Sequence, residues 1–192
     1  MTPPTSLPDA DDPDTLIRLF NALFLPTMKT QLVRGRDEPL YLPADAHYPY
    51  HRIIFAHGFF SSALHEISHW CLAGYARRHR EDYGYWYIPD GRDQRQQQAF
   101  ERAEVKPQAI EKCLALACGR AFQVSVDNLN SDVNVDCEAF SHRVNEQAAQ
   151  YRQHGLPPRA EVLYHAMNDV YIGGLPLADV AEKQLPFINV LR

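Results

Sequence analysis

The segment His65-Glu66-Ile67-Ser68-His69 sets two imidazoles four residues apart with a carboxylate between them. On an α-helix, side chains at this spacing leave the same face about 6 Å apart, so both rings can close on one metal ion. Phe59, Phe60, Ala63, Leu64, Ile67, Trp70, Cys71 and Ala73 keep the surroundings apolar. Ring nitrogens buried there need partners, and a metal suits the spacing best. The plainer alternative is a pair of core histidines bonded to main-chain carbonyls.

Two histidines make an incomplete site, and the third ligand decides the chemistry. The extended HExxHxxGxxH pattern is excluded, because Leu72 and Tyr75 stand where its glycine and third histidine belong. A carboxylate from a later helix is the other common completion, and Glu101, Glu104 and Glu111 lie on a segment able to fold back against the motif. Glu104 is favoured because it neighbours the backbone irregularity expected at Pro107; Glu111, one turn into the apolar stretch, is the runner-up. Spacing alone does not separate them. With zinc, the set leaves one place for a water that Glu66 would deprotonate for peptide hydrolysis. With iron(II), it is a facial triad with room for dioxygen and substrate. A third reading is a metal-stapled binding module with no open coordination position.

The elements that must position these groups follow from periodicity. Residues 1–14, rich in Pro and Asp, read as a flexible N-terminal arm, and 15–192 as a single metal-binding catalytic domain. Leu16, Ile17, Leu19, Phe20, Leu23 and Phe24 keep a helical period behind Asp14 as cap, with Pro26 closing the helix. Leu32-Val33, Leu40-Tyr41-Leu42 and Ile53-Ile54-Phe55 read as short strands. The motif helix is expected from about Ser62 to His79, with Ser61 and Ser62 as capping oxygens. Tyr83 to Asp93 reads as a strand with a Pro-Asp-Gly turn, and Gln94 to Arg120 as a helix kinked or restarted at Pro107. A short strand at Phe122–Val126, helices at Cys137–Tyr151 and Arg159–Tyr171, and an irregular tail complete the chain. The fold expected is α+β, a mainly helical single domain with a small antiparallel sheet or hairpins and its metal site on the buried HExxH helix.

Two groups near the motif bear on substrate. His57 sits close before the helix and is either structural or substrate-facing. The aromatics Tyr85, Trp86 and Tyr87, with Asp90 or Asp93 as counter-ion, suit an alkyl-ammonium chain laid against ring faces, or else form hairpin core.

A chain of 192 residues that is 45% apolar supports one well-packed core. A net charge of −5 and no sustained basic run argue against a nucleic-acid binder. Arg77, Arg78, His79 and Arg80 are a local exception that fits a helix C-terminus or an acidic protein partner. Cys71, Cys113, Cys118 and Cys137 form no CxxC pair and read as reduced core thiols. No basic, apolar and small-residue leader follows Met1, and no apolar run reaches the length of a membrane span, so the expected location is cytoplasmic.

Beyond the metal motif, the chain carries His57-Gly58-Phe59, Ala63-Leu64-His65-Glu66-Ile67-Ser68-His69-Trp70-Cys71, Gly84-Tyr85-Trp86-Tyr87 with Pro89-Asp90-Gly91-Arg92-Asp93, and Glu104-Val105-Lys106-Pro107-Gln108-Ala109. These resemble the elongation factor P hydroxylase family, also known as EpmC or YfcM, from about His51 through Asn128 and more loosely to the C-terminus. The resemblance implies a non-haem iron monooxygenase that hydroxylates the β-lysyl-modified lysine of translation elongation factor P. It further implies a metal held by His65, His69 and a carboxylate, carried to Glu104 because that residue opens the EVKPQA run. If the chain is such a hydroxylase, the substrate-facing residues expected are His57, Tyr85, Trp86, Tyr87, Asp90 and Arg92, with Glu66 orienting a ligand or handling protons.

Overall fold

Helix α1 (Pro13–Met28) begins on Asp12, whose carboxylate accepts hydrogen bonds from the amides of Asp14 and Thr15. The cap thus lies two residues before the expected Asp14, because Pro13 enters the first turn with its φ preset and no N–H to satisfy. Pro26 does not end the helix, which runs on to Met28 and stops at Lys29 in the left-handed region. Leu16, Leu19, Phe20, Leu23 and Phe24 are fully buried along one face. In this computed structural model the described residues are Asp9, 12–82, 91–126 and 136–191.

Strands β1 (Thr30–Arg34), β2 (Leu40–Leu42) and β3 (His51–Phe55) form one sheet in the order β1-β3-β2. Leu32 lies opposite Ile53 in a parallel pair and Tyr41 opposite Ile53 in an antiparallel one. The sheet is small, as expected, but mixed: the chain crosses past β3's position to lay β2 on the far edge and returns with β3 running alongside β1. The other edge of β1 is partly served by α1, where Asn21 accepts from the Leu32 amide at 2.7 Å and donates to its carbonyl at 3.3 Å.

A short 3-10 turn, Ala56–Gly58, leads from β3 into the motif helix α2 (Phe60–Leu72), with His57 at φ 50° and Gly58 at φ 72° reversing the chain. Ser61 and Ser62 lie inside α2 rather than capping it. Ser62 Oγ instead accepts from the Ala56 amide at 3.0 Å, tying the helix back to the turn. The helix is also shorter than expected. It ends at Leu72 because Gly74 follows and because one guanidinium, that of Arg159, collects the carbonyls of Trp70, Cys71 and Ala73 at 2.9, 3.0 and 2.6 Å. Arg77–His79 form a separate single turn.

Helix α3 (Gln94–Ala117) opens on a capping box between Asp93 and Gln96 and continues past Pro107 without interruption. The helix does not restart at Pro107, which sacrifices one ladder bond inside a helix otherwise held by packing on both flanks. Helices α4 (Cys137–His154) and α5 (Pro158–Met167) follow, then a π turn at Asn168–Ile172, and α6 (Leu177–Asn189) where an irregular tail was expected. Three of α6's residues, Val180, Gln184 and Ile188, repeat at i, i+4 and i+8 and are buried.

The main core joins α1, the sheet, α2, α3, α5 and α6, with the Phe20 and Phe24 rings 5.2 and 4.9 Å from the Trp70 ring. Fully burying such a ring contributes about 2–3 kcal/mol. A smaller core of Ala109, Cys113, Phe140, Val144 and Ala148 locks α3 to α4. Cys71, Cys113 and Cys118 are buried thiols as expected, whereas Cys137 is exposed at the first turn of α4. No described helix is long and apolar enough to cross a membrane.

Candidate metal centre

Helix α2 buries Ala63, Leu64, Ile67, Trp70 and Cys71 in the core, which turns His65 and His69 toward α3. Helix α3 answers with Glu104, Gln108 and Glu111, spaced i, i+4 and i+7 and therefore on one face. His65 Nε2 and His69 Nε2 lie 3.0 Å apart. Glu104 places Oε1 3.3 Å from His69 Nε2 and Oε2 3.7 Å from His65 Nε2. One donor atom from each of the three residues falls within 4.8 Å of the others.

The donor set fits a metal. Bonds of about 2.1 Å from one ion could reach two imidazole nitrogens at this separation. Glu104 is completely buried, and among the described residues its Oε1 accepts no hydrogen bond of good geometry. A carboxylate oxygen left so, beside two convergent ring nitrogens, is stabilised by a cation. Glu111 does not join this cluster: its Oε2 lies 3.0 Å from the other nitrogen of His65, Nδ1.

The electrostatics are those of a site short of positive charge. Burial works to lower the His65 pKa, but the hydrogen bond and charge of Glu111, with Glu66 and Glu104 behind it, overcome that and raise the imidazole to about 10. Burial likewise works to raise Glu104, yet His69, His65 and Gln108 hold its carboxyl below the usual carboxylate range. Glu66 moves the other way, with burial favouring its neutral form against the pull of His65 and His69.

A model of the elongation factor P hydroxylase family matches residues 19–179 of this sequence. The chain belongs to the elongation factor P hydroxylase family. It is 50% identical over 158 residues to the elongation factor P lysine hydroxylase of Haemophilus influenzae, a match spanning 82% of this chain and 88% of that one. The span matched by the hydroxylase model takes in His65, His69, Glu104, Gln108 and Glu111 together.

Among hydroxylase residues singled out in the sequence, His65, His69 and Glu104 converge, and Glu111 stands behind His65. Glu101 is turned away toward α4, where it pairs with Arg143. Glu66 lines a narrow cleft on the His69 side with Tyr41, Trp70, Ala73, Arg77, Arg78 and Asp82. His57 is exposed at the turn before α2, its ring 5.8 Å from that of Phe59, and is not part of the cluster. Tyr85, Trp86, Tyr87 and Asp90 lie outside the described residues, as does most of the expected hairpin. Arg92 is buried: Nε donates to Gln97 at 2.9 Å, Nη2 to the Val126 carbonyl at 2.8 Å, and the guanidinium lies 4.0 Å over the Phe100 ring.

Two contributors escaped the sequence reading. Gln108 donates to Glu104 Oε2 at 3.4 Å and to the Ser125 carbonyl at 2.8 Å, and accepts from the Ser125 amide at 3.0 Å. It thereby replaces the strand partner that Phe122–Val126 was expected to have. The alternation there is genuine, with Phe122, Val124 and Val126 half-buried against the α3–α4 core, but the backbone pairs with a side chain instead of a sheet. Arg159 fixes the end of α2 from α5. The spacing of Gln108 one turn after Glu104 was a usable signal; nothing local marks Arg159.

Proposed function

We propose that this protein hydroxylates the β-lysyl-modified lysine of translation elongation factor P as a non-haem iron(II) monooxygenase. The observation that carries the reading is the approach of His65, His69 and Glu104 within 4.8 Å of one another, in a chain of this family. The relative from Haemophilus influenzae is named an elongation factor P lysine hydroxylase, which supports lysine hydroxylation of that factor. Two imidazoles and one carboxylate would hold the ion, and iron(II) in such a set supplies dioxygen activation while leaving coordination positions open.

The chain's own residues do the rest. His65 and His69 present Nε2 lone pairs from a helix whose far end is pinned by Arg159. Glu104, held by Gln108, contributes the one negative ligand. Glu66 holds or delivers a proton at its carboxyl beside the metal-binding face. Tyr85, Trp86 and Tyr87 receive the long cationic side chain against their rings, with Asp90 as counter-ion. Arg92 anchors the segment that carries them, and His57 borders the approach. The substrate is a translation factor, so the reading puts the reaction in the cytoplasm.

The test is a mass measurement on purified β-lysyl-modified elongation factor P, incubated aerobically with iron-loaded protein. Gain of one oxygen atom on the modified lysine is the expected result. Unchanged substrate mass with wild type, or full activity in His65→Ala or His69→Ala, would contradict it. A zinc peptidase with Glu66 as its base would instead cleave a peptide and lose that activity in Glu66→Gln.

A further inference from the structure

We infer that Glu111 is a positioning residue of the metal centre, a carboxylate that accepts the Nδ1 proton of His65 and so leaves Nε2 as the lone pair offered to the ion. The inference rests on the metal-binding reading above and adds a role for a side chain outside the three-residue set.

A neutral imidazole carries one proton on one of its two nitrogens, and a carboxylate can only accept. Glu111 Oε2 is 3.0 Å from His65 Nδ1, while His69 Nε2 and Glu104 Oε2 lie 3.0 and 3.7 Å from Nε2, on the other side of the ring. The two glutamates therefore address opposite nitrogens of one imidazole. Seven residues separate them on α3, which is about 10.5 Å along the helix axis. Glu104 reaches the convergent face, and Glu111 reaches past it to the outside of the ring. The Glu111 side chain is only 12% exposed, so its charge acts on the ring with little solvent between.

Two consequences follow for binding. The hydrogen bond fixes the ring's rotation and keeps a proton on Nδ1, so Nε2 is the nitrogen that gives up its proton and meets the ion. The negative charge behind the ring makes Nε2 a stronger electron donor.

The experiment is a titration with cobalt(II) under anaerobic conditions, read by its visible ligand-field bands, on wild type, Glu104→Ala, Glu111→Ala and Glu111→Gln, with helical content checked by circular dichroism. Wild type is expected to bind one ion. Glu111→Ala is expected to bind about 10- to 100-fold more weakly with the same band pattern. Glu111→Gln, which keeps an oxygen acceptor, is expected to fall between the two. In zinc-loaded, nitrogen-15-labelled wild type, His65 should show a protonated, slowly exchanging Nδ1, and Glu111→Ala should lose that signature. Unchanged affinity and an unchanged His65 signal in Glu111→Ala would overturn the inference. So would loss of binding as complete as in Glu104→Ala with altered bands, which would make Glu111 a ligand. Failure of wild type to bind cobalt(II) would remove the metal reading and this role with it.

Discussion

Gln108 Nε2 stands 3.4 Å from Glu104 Oε2 and, with the same amide group, holds both backbone groups of Ser125. The carboxylate proposed as the third ligand is thus tied through one side chain to the extended segment 121–126. That segment is tied in turn to residues 91–93 by the Arg92 bond to Val126. Residues 91–93 directly follow, in sequence, the stretch proposed to receive substrate, so ligand geometry and the backbone at the end of that stretch share one hydrogen-bonded network.

Gln108→Ala should therefore cost stability and metal retention together. Three hydrogen bonds are lost and the Ser125 backbone is left with fewer partners, which predicts a loss of about 1–3 kcal/mol. Urea denaturation of the metal-free protein checks the first effect. Iron content after anaerobic dialysis checks the second, and a stability loss with iron retained in full would disconnect the network from the site.

Removing a proposed ligand should separate function from fold. Glu104→Ala and His69→Ala are expected to lower hydroxylation by more than about 100-fold, since ligands outrank the outer contacts whose loss costs 10–100-fold. Their far-UV spectra should match wild type, because α2 and α3 are also held by apolar contacts with the core. A Glu104→Ala protein with near-normal turnover would remove Glu104 from the set.

Arg159→Ala tests what terminates the motif helix. The guanidinium donates to three carbonyls at the α2 C-terminus and lies 4.9 Å over the Trp70 ring, and burial lowers its pKa from the ordinary arginine value. Losing a charged, half-buried donor there should cost about 2–3 kcal/mol. Arg159→Lys should recover only part, since a single ammonium lacks the planar fork. Thermal unfolding of both variants measures this, and equal melting temperatures for Arg159→Ala and wild type would contradict it.

The Asp12 cap gives a prediction in pH. Hydrogen bonding from the Asp14 amide leads the effects on its carboxyl; burial opposes and Thr15 assists, and the pKa ends below the ordinary carboxylate value. A pKa lower in the folded state means stability that is complete above the unfolded carboxylate range and lost as pH falls through the folded value. Asp12→Ala should cost about 1 kcal/mol at neutral pH. The gap to wild type should close in acid, below about pH 4. Denaturation midpoints at several pH values decide it; a gap that widens in acid would refute the assignment.

What the sequence made legible was what repeats locally. The HExxH spacing put His65 and His69 on one face, and strand patterning at Leu32, Tyr41 and Ile53 located the sheet. The choice of Glu104 over Glu111 was not decided by spacing, because both lie on the same face of α3 and only the packing of α3 on α2 shows which nitrogen each one meets. Pro107 did not restart the helix, because tertiary contacts hold it through one missing bond. Phe122–Val126 misled because a side-chain amide can satisfy a strand-like backbone. The end of α2 depended on Arg159, nearly ninety residues away, and no local pattern carries such a contact.

Iron content measured on protein purified without oxygen bears most directly on the central claim that His65, His69 and Glu104 grip a redox-active ion. The account predicts close to one iron per wild-type chain and almost none in Glu104→Ala or His65→Ala of unchanged fold. Wild-type chains free of iron, or variants that keep it in full, would contradict it.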